Sequence, residues 1–476
     1  MTSRVRRSPG RGTIPSSSPW RGKSPPHIVF YVLLAFLLAC LLGGGSNRTD
    51  VYSLLYLRPF TVICLFSMLF VPVHRDWRQV RAPLVLLGLL AVVIAIQLVP
   101  LPPSIWARLP GRAPLAGAMV ALGGEQPWRP LSWTPDLTLN SLLALLAPLT
   151  VLVGYAGIRP DQRAALVPLV IGAAVASAAL GIIQFTGGRF SPANLYAGHS
   201  LDVPNGWFAN RNHHADFLAC ALVLIATWLQ LPAHLRRTER QRYWIAGLVA
   251  CFLFVVVIAT GSRSGTLLTV LALAYAGVTT LKSFSRKLDG RNILILWAGA
   301  GIVALLLIGI MLMAGRAVSL DRLFGFDATA EQRIRSLPTL IAMWRDFMPI
   351  GSGFGSFDPV FRMYEPDALL HPGYFNHAHN DWLELGLTGG LAALVILVLF
   401  VLWVSVRLIL SFRLPGSSAV HCARGGGIVL LVLGAASISD YPLRTPLLAA
   451  FTAIACAWLS SSFDKPASPA PGQGSR

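Results

Sequence analysis

The sequence predicts an all-α fold, a polytopic membrane helix bundle of about twelve transmembrane helices with a large outer loop before the tenth. Three observations predict it. Hydrophobic residues make up 54% of the chain and charged residues only 12%, against roughly 25% charged in an ordinary soluble domain. Apolar runs near the ~20 residues needed to cross a bilayer core recur along the chain. The charged residues, finally, sort between alternate connections.

In order, the apolar runs read as spans 28–45, 52–73, 83–100, 139–157, 164–184, 213–231, 244–261, 264–281, 293–314, 382–410, 426–440 and 445–461. Ahead of them, residues 1–27 carry Arg4, Arg6, Arg7, Arg11, Arg21 and Lys23 among scattered Pro and Ser, the composition of a disordered cytoplasmic tail. No Ala-x-Ala site follows the first span, so it reads as an uncleaved anchor. Residues 462–476 form a second tail, and 28–461 make one bundle.

The segments 74–82, 158–163, 232–243, 282–292 and 411–425, together with both tails and Arg407, hold 24 Lys+Arg against five acids. That difference is the whole net charge of +19. The opposite side carries 15 basic residues, all arginine, against 15 acids. Lys and Arg concentrate on the cytoplasmic side of membrane proteins, so this side is cytoplasmic and both termini lie there. A charge explained by topology also removes nucleic acid as a partner.

The cytoplasmic connections are short. The outer ones include three long loops, 101–138, 185–212 and 315–381. Loops of that length in a compact protein carry function or structure of their own. In the first, Leu101–Trp106 and Trp128–Trp133 read as an aromatic belt lying along the headgroups. Five of the six cysteines (Cys40, Cys64, Cys220, Cys251, Cys456) fall in spans and Cys422 in a cytoplasmic segment, so no disulfide framework is expected. Asn47-Arg48-Thr49 matches a glycosylation sequon, a short pattern of low specificity.

Four polar clusters gather on the outer side: Asn210-Arg211-Asn212-His213-His214-Ala215-Asp216, the turn Gly261-Ser262-Arg263-Ser264-Gly265, the stretch Glu331-Gln332-Arg333-Ile334-Arg335 with the later Gly351-Ser352-Gly353-Phe354-Gly355, and His377-Ala378-His379-Asn380-Asp381-Trp382-Leu383-Glu384. An arginine at membrane depth is costly unless partnered, so Arg263 is expected to be buried and facing an anion. Arg333 and Arg335, two apart, do not share one helical face. Guanidinium forks bind phosphate oxygens bidentately and keep their charge. Arginines converging from separate loops would therefore clamp a diphosphate; the competing reading is a scatter of surface arginines.

Asp381 and Glu384 have the spacing of a capping box, with Asp381 as N-cap. His379 would then precede a helix start, where anions are favoured, as a general base or phosphate donor. His377 is read as supporting it. The paired histidines lack helical metal spacing, so no metal and no cofactor is expected. The Gly-x-Gly-x-Gly at 351–355 reads as a flexible turn or an anion nest, and Gly386, Gly389 and Gly390 as small residues for close helix packing.

On these residues the chain resembles the O-antigen ligase/O-antigen polymerase family of bacterial envelope proteins, with C-type glycosyltransferase architecture. The likeness runs from Arg335 through Pro349–Phe357 and Tyr364-Glu365-Pro366 to His377–Asp381, with Asn210–His213, Ser262–Ser264 and Ser439-Asp440-Tyr441-Pro442 in order around it. It spans about 190–460.

The resemblance implies an inner-membrane glycosyltransferase acting at the periplasmic face, independent of metal. The donor would be an undecaprenyl-diphosphate-linked glycan and the acceptor a glycan or lipid A-core. Membrane lipids and polysaccharide-assembly proteins would be its other partners. It also implies that Arg263 and Arg335 hold the diphosphate, with Arg333 competing for the same loop position, and that His379 is catalytic, supported by Asn212, His213, His377, Asn380 and Glu384. Ligation and polymerisation use similar sites, and the Glu365-Pro366 and His377-Ala-His379 variant leans toward polymerases of exopolysaccharide or capsule. A flippase or transporter of lipid-linked sugars is the rival class. Transporters place ionisable groups at the midplane, whereas the polar groups here gather on one face.

Overall fold

The computed structural model describes residues 25–48, 50–196, 202–232, 238–284, 333–370 and 375–461. Over these residues the regular structure is helical, apart from the two-residue antiparallel ladder of β1 (Pro100–Leu101) and β2 (Arg129–Pro130). In order the helices are α1 (Pro25–Gly43), α2 (Ser53–Phe70), α3 (Arg81–Ile96), α4 (Pro103–Trp106), α5 (Ala113–Ala121), α6 (Pro135–Ala144), α7 (Leu146–Gly157) and α8 (Pro160–Gly187). They continue with α9 (Arg211–Gln230), α10 (Glu239–Thr260), α11 (Arg263–Phe284), α12 (Leu337–Phe347), α13 (Phe357–Tyr364), α14 (Asp381–Arg413), α15 (Ser418–Ser439) and α16 (Pro446–Ser461).

Helices lie on every expected span except 293–314, which is outside the described residues, as are the tails 1–24 and 462–476 and the 315–332 part of the large loop. Among the described residues, seven helical stretches are long and apolar enough to cross a membrane, and His27–Gly43 and Pro446–Ser461 are shorter apolar helices. The span expected at 426–440 begins eight residues earlier, at Ser418, because Ser417 caps the helix by accepting from the Val420 amide at 3.3 Å. Cys422 is therefore a buried helical residue and not part of a cytoplasmic connection.

At the centre stands α9, every side chain of which is buried from His213 to Thr227. It packs among α8, α10, α11 and α15. Protein rather than lipid surrounds it, which is how a helix opening with Asn212, His213, His214 and Asp216 sits inside an apolar bundle.

The two ends of the bundle differ in chemistry. At the basic end, arginines donate to the orphan carbonyls of helix C-termini, where the helix dipole favours cations. Arg75 reaches the Val71 oxygen at 3.0 Å, Arg424 the Leu414 oxygen at 2.8 Å, and Arg242 and Arg407 the Trp228 and Ser460 oxygens. At the other end the outer segments knit together: the Leu447 amide donates to Gly44 O and the Ala209 amide to Gly45 O, both at 3.0 Å.

Over that end lies a folded cap. Its core is Leu340 and Met343 of α12, Phe357 and Phe361 of α13, Phe347 and Phe375, with Trp133 and Trp344 against it. The first outer loop belongs to this cap and is not the aromatic belt expected from its tryptophans. Trp106 is buried, its indole donating to Pro130 O at 2.8 Å, and Arg112 is fully buried, donating to the Leu131 and Gly351 oxygens at 2.6 and 2.9 Å. Trp128 alone of the loop's three tryptophans is strongly exposed.

The glycine-rich stretch 351–355 is likewise a brace and not a flexible turn or an anion nest. Gly390 breaks α14 with φ 64° and ψ −159°, and the stretch satisfies the groups that the break releases. Ser352 and Gly353 amides donate to Leu387 O and Thr388 O at 2.9 Å, and Leu391 N donates to Pro349 O at 2.8 Å. Gln97 ties both strands, accepting from Phe354 N and donating to Thr388 O at 2.9 Å. With these amides spent inside the protein, none of them is left for an anion. Gly386 allows close approach of α12 through its Trp344 ring, as expected of a helix-packing glycine, whereas Gly389 admits the Phe354 ring of the glycine-rich stretch.

Candidate functional site

Three chain segments meet beneath the cap: the turn 375–380 before α14, the start of α9, and the turn 440–445 between α15 and α16. Asn380 starts α14. Its Oδ1 accepts from the Trp382 and Leu383 amides at 3.1 and 3.0 Å, so Asn380, not Asp381, is the N-cap. The capping-box reading of the two acids fails because both turn to Arg444 instead. Asp381 Oδ1 accepts from Arg444 Nε at 2.7 Å, and Glu384 Oε1 lies 3.0 Å from Arg444 Nη1.

Glu384, buried to 1% exposure, also fixes the histidine turn. Its Oε2 accepts from the Ala378 amide at 2.8 Å and its Oε1 pairs with His377 Nδ1 at 3.0 Å. On the other side of that ring, Asn47 Nδ2 lies 2.7 Å from Nε2. With the amide donating, the ring proton sits on Nδ1, facing Glu384. The asparagine of the apparent sequon is thus engaged in the site. For Arg444, burial works against the charge, but Glu384 and Asp381 outweigh it and raise its pKa.

These contacts hold His379 in the left-handed backbone region, φ 50°. Its Nδ1 donates to His377 O at 2.8 Å, which leaves Nε2 as the acceptor of the neutral ring. The ring stacks on Phe375 at 4.9 Å and meets the edge of Tyr441 at 5.0 Å. Burial pushes its pKa down to about 4, with the Arg333 charge acting in the same direction and Asp440 against it. At neutral pH the group is an unprotonated base.

Asp440 is the second centre. Asn212 Nδ2 donates to it at 2.6 Å and Asn210 Nδ2 at 3.3 Å, while His213 Nε2 and Arg333 Nη2 each lie 3.8 Å away. Burial alone would raise its pKa. The neighbouring His213, Arg333 and His379 instead hold it well below the usual carboxylate range. Tyr441 joins the two centres, its ring touching His213, His377 and His379 at 5.2, 4.5 and 5.0 Å. Its hydroxyl bonds to Asn376, and burial raises its pKa.

Of the three expected arginines, only Arg333 enters this constellation. It donates to Ser439 O at 2.6 Å and stands near Asp440 and His379. Arg335 is exposed, its Nη2 donating to Ala368 O at 3.3 Å. Arg263 is exposed where burial was expected. The small neighbour Ser262 has another task, capping α11 by accepting from the Gly265 amide at 3.1 Å. Built onto Gly265, a Cβ would lie 2.4 Å from the Ala215 side chain, so Arg263 starts its helix beside the first turn of α9.

His379, Asn212, His213, His377, Asn380 and Glu384 all lie in the network, Asn380 as the cap. Sequence reasoning did not single out Asn47, Tyr441 or Arg444 as site residues, and met Asp440 only within a motif. Arg444 carried one usable signal: like Arg263, it is an arginine in a short link between two apolar runs on the arginine-only side.

The arrangement offers a neutral base, a guanidinium beside it and a buried acid–base scaffold behind both, a set suited to deprotonating a hydroxyl next to an anionic leaving group. Residues 246–398 match the family model described as O-antigen ligase, a region running from α10 through the cap and the histidine turn into α14. No curated protein matches the chain.

Proposed function

From the match of residues 246–398 to the O-antigen ligase family model, we propose that this chain is a member of that family and moves a glycan from an undecaprenyl-diphosphate carrier to an acceptor hydroxyl at the periplasmic face of the bacterial inner membrane. The observation that carries this reading is the neutral His379 beside Arg333, at the end of the bundle away from the basic connections.

His379 Nε2 takes the proton of the acceptor hydroxyl. The oxygen attacks the anomeric carbon, the bond from that carbon to the carrier diphosphate breaks, and its electron pair leaves with the diphosphate. Arg333 holds the developing charge, and Arg263 and Arg335, from separate segments, supply further cations. Fixed cations aimed at the departing group serve in place of a metal ion, so transfer is metal-independent. Glu384, His377 and Arg444 position the base. The same constellation serves a growing chain or a finished lipid A-core as acceptor, which makes polymerase and ligase two uses of one site in exopolysaccharide, capsule or O-antigen assembly.

Cells whose only copy carries Arg333→Ala or His379→Ala lose surface glycan while the protein still inserts. Wild-type glycan in both would overturn the site. Purified protein transfers glycan in the presence of chelator; strict dependence on added divalent ion would overturn the metal-free reading.

A further inference from the structure

A small cavity of about 50 Å³ opens on the flank of the bundle between α2, α6 and α7, room for a few waters or one small polar group. At its inner wall are Asn47 and Arg444, the residues that hold His377 and Glu384. The cavity therefore borders the residues that hold the histidine turn.

Its mouth holds Arg58, a cation on a membrane-spanning helix. Such residues are rare and are normally paired or functional. Arg58 donates to the neutral side chain of Asn140, and among the described residues no carboxylate stands near it. The other cation of the cavity, Arg444, is already matched by Asp381 and Glu384. Arg58 is thus the cavity's uncompensated charge among the described residues.

The remaining walls include Leu54, Leu57, Leu143 and Leu146, without an aromatic ring on which a free sugar would stack. Beside the mouth, Leu55 of α2 and Leu139 of α6 are exposed toward the surroundings of the bundle. An anion with an apolar tail fits these walls; a soluble sugar does not.

We propose that this cavity seats the phosphate headgroup of a membrane lipid, bound on Arg58 with its hydrocarbon along α2 and α6, and that this lipid anchors the acceptor. The acceptor role rests on the glycan-transfer reading above. The donor diphosphate then approaches His379 from Arg333 and the acceptor from Arg58, so two lipid-borne substrates reach one base without sharing a groove.

The test uses the full chain in phosphatidylcholine nanodiscs with a photoactivatable phosphatidic acid bearing a diazirine in its acyl chain. This probe labels peptides of α2 and α6, and Arg58→Gln lowers labelling on the order of tenfold, the loss of one charge-assisted contact, while Arg58→Lys retains it. A matched diacylglycerol probe labels weakly. Equal labelling of wild type and Arg58→Gln, or equal labelling by diacylglycerol, overturns the site. Abolition of labelling by inorganic phosphate overturns the lipid assignment in favour of a free-phosphate site.

In cells, Arg58→Gln lowers surface glycan in step with labelling. Lost labelling with wild-type glycan overturns the acceptor role. Because labelling needs no turnover, failure of the transfer reading, seen as wild-type glycan in His379→Ala and Arg333→Ala, is registered separately.

Discussion

His379 occupies a backbone region that costs a non-glycine residue about 1–3 kcal/mol and persists only where its surroundings enforce it. Here Glu384 enforces it through the Ala378 amide and His377. Removing a buried partner of this kind leaves uncompensated charge, at a cost of about 3–5 kcal/mol. Glu384→Ala should therefore lower the thermal midpoint and abolish transfer together. The pH dependence follows from the base. With its pKa lowered to about 4 from 6.5, His379 stays deprotonated until the pH falls through that lower value, and protonation then removes the acceptor of the proton. The acid limb of kcat/KM, which reports the free enzyme, should fall near pH 4; a limb near pH 6.5 would show a base of ordinary pKa. Between the competing arginines, Arg333→Ala should cost about 10²–10³-fold in transfer and Arg335→Ala far less, since only Arg333 stands near Asp440 and His379. The sequence order grouped His379 with Arg263, Arg335 and Arg333 alike. It could not choose between Arg333 and Arg335, because which guanidinium turns inward is decided by Ser439 and Asp440, more than 100 residues on. The pairing of Arg444 was hidden for the same reason: its partner Asp381 lies 63 residues away in sequence.

At the scale of elements, the break in α14 is what sets the cap against the bundle. Gly390 lies in a region essentially closed to residues with a side chain, and a Cβ there would stand 2.3 Å from Pro349 O, which accepts from Leu391. Gly390→Ala should lower the thermal midpoint and also transfer, because the histidine turn hangs from the first turns of the same helix. Gly88→Ala is the matched control, since a Cβ on α3 meets nothing within 4 Å and alanine favours a helix over glycine by about 1 kcal/mol. Helices themselves were legible from apolar runs, but the roles of the glycines were not. The expected anion nest at 351–355 required free amides, and these are consumed by carbonyls of α14 some 35 residues away. Likewise the Trp106 loop had the composition of an interfacial belt, and only the contacts of Arg112 with Leu131 and Gly351 show it folded into the cap.

At the scale of the whole molecule, charge sorting and site geometry address the same question. Among the described residues, arginines such as Arg75 and Arg424, from the connections rich in Lys and Arg, close helix C-termini at one end of the bundle. His379, Arg333 and Asp440 lie at the other. If Lys and Arg mark the cytoplasmic side, the site faces outward, as a lipid-diphosphate donor delivered to the outer leaflet requires. The six native cysteines are free, five of them buried and Cys251 partly so, which keeps background labelling by a membrane-impermeant maleimide low. Asp367 is exposed in the cap, and Pro415 is exposed in the link between α14 and α15 at the basic end. Asp367→Cys should therefore label in intact spheroplasts, and Pro415→Cys only after permeabilisation. The reverse pattern would put the histidine turn in the cytoplasm, where acceptor and donor would have to meet before the carrier crosses the membrane, and the proposed transfer would fall with it.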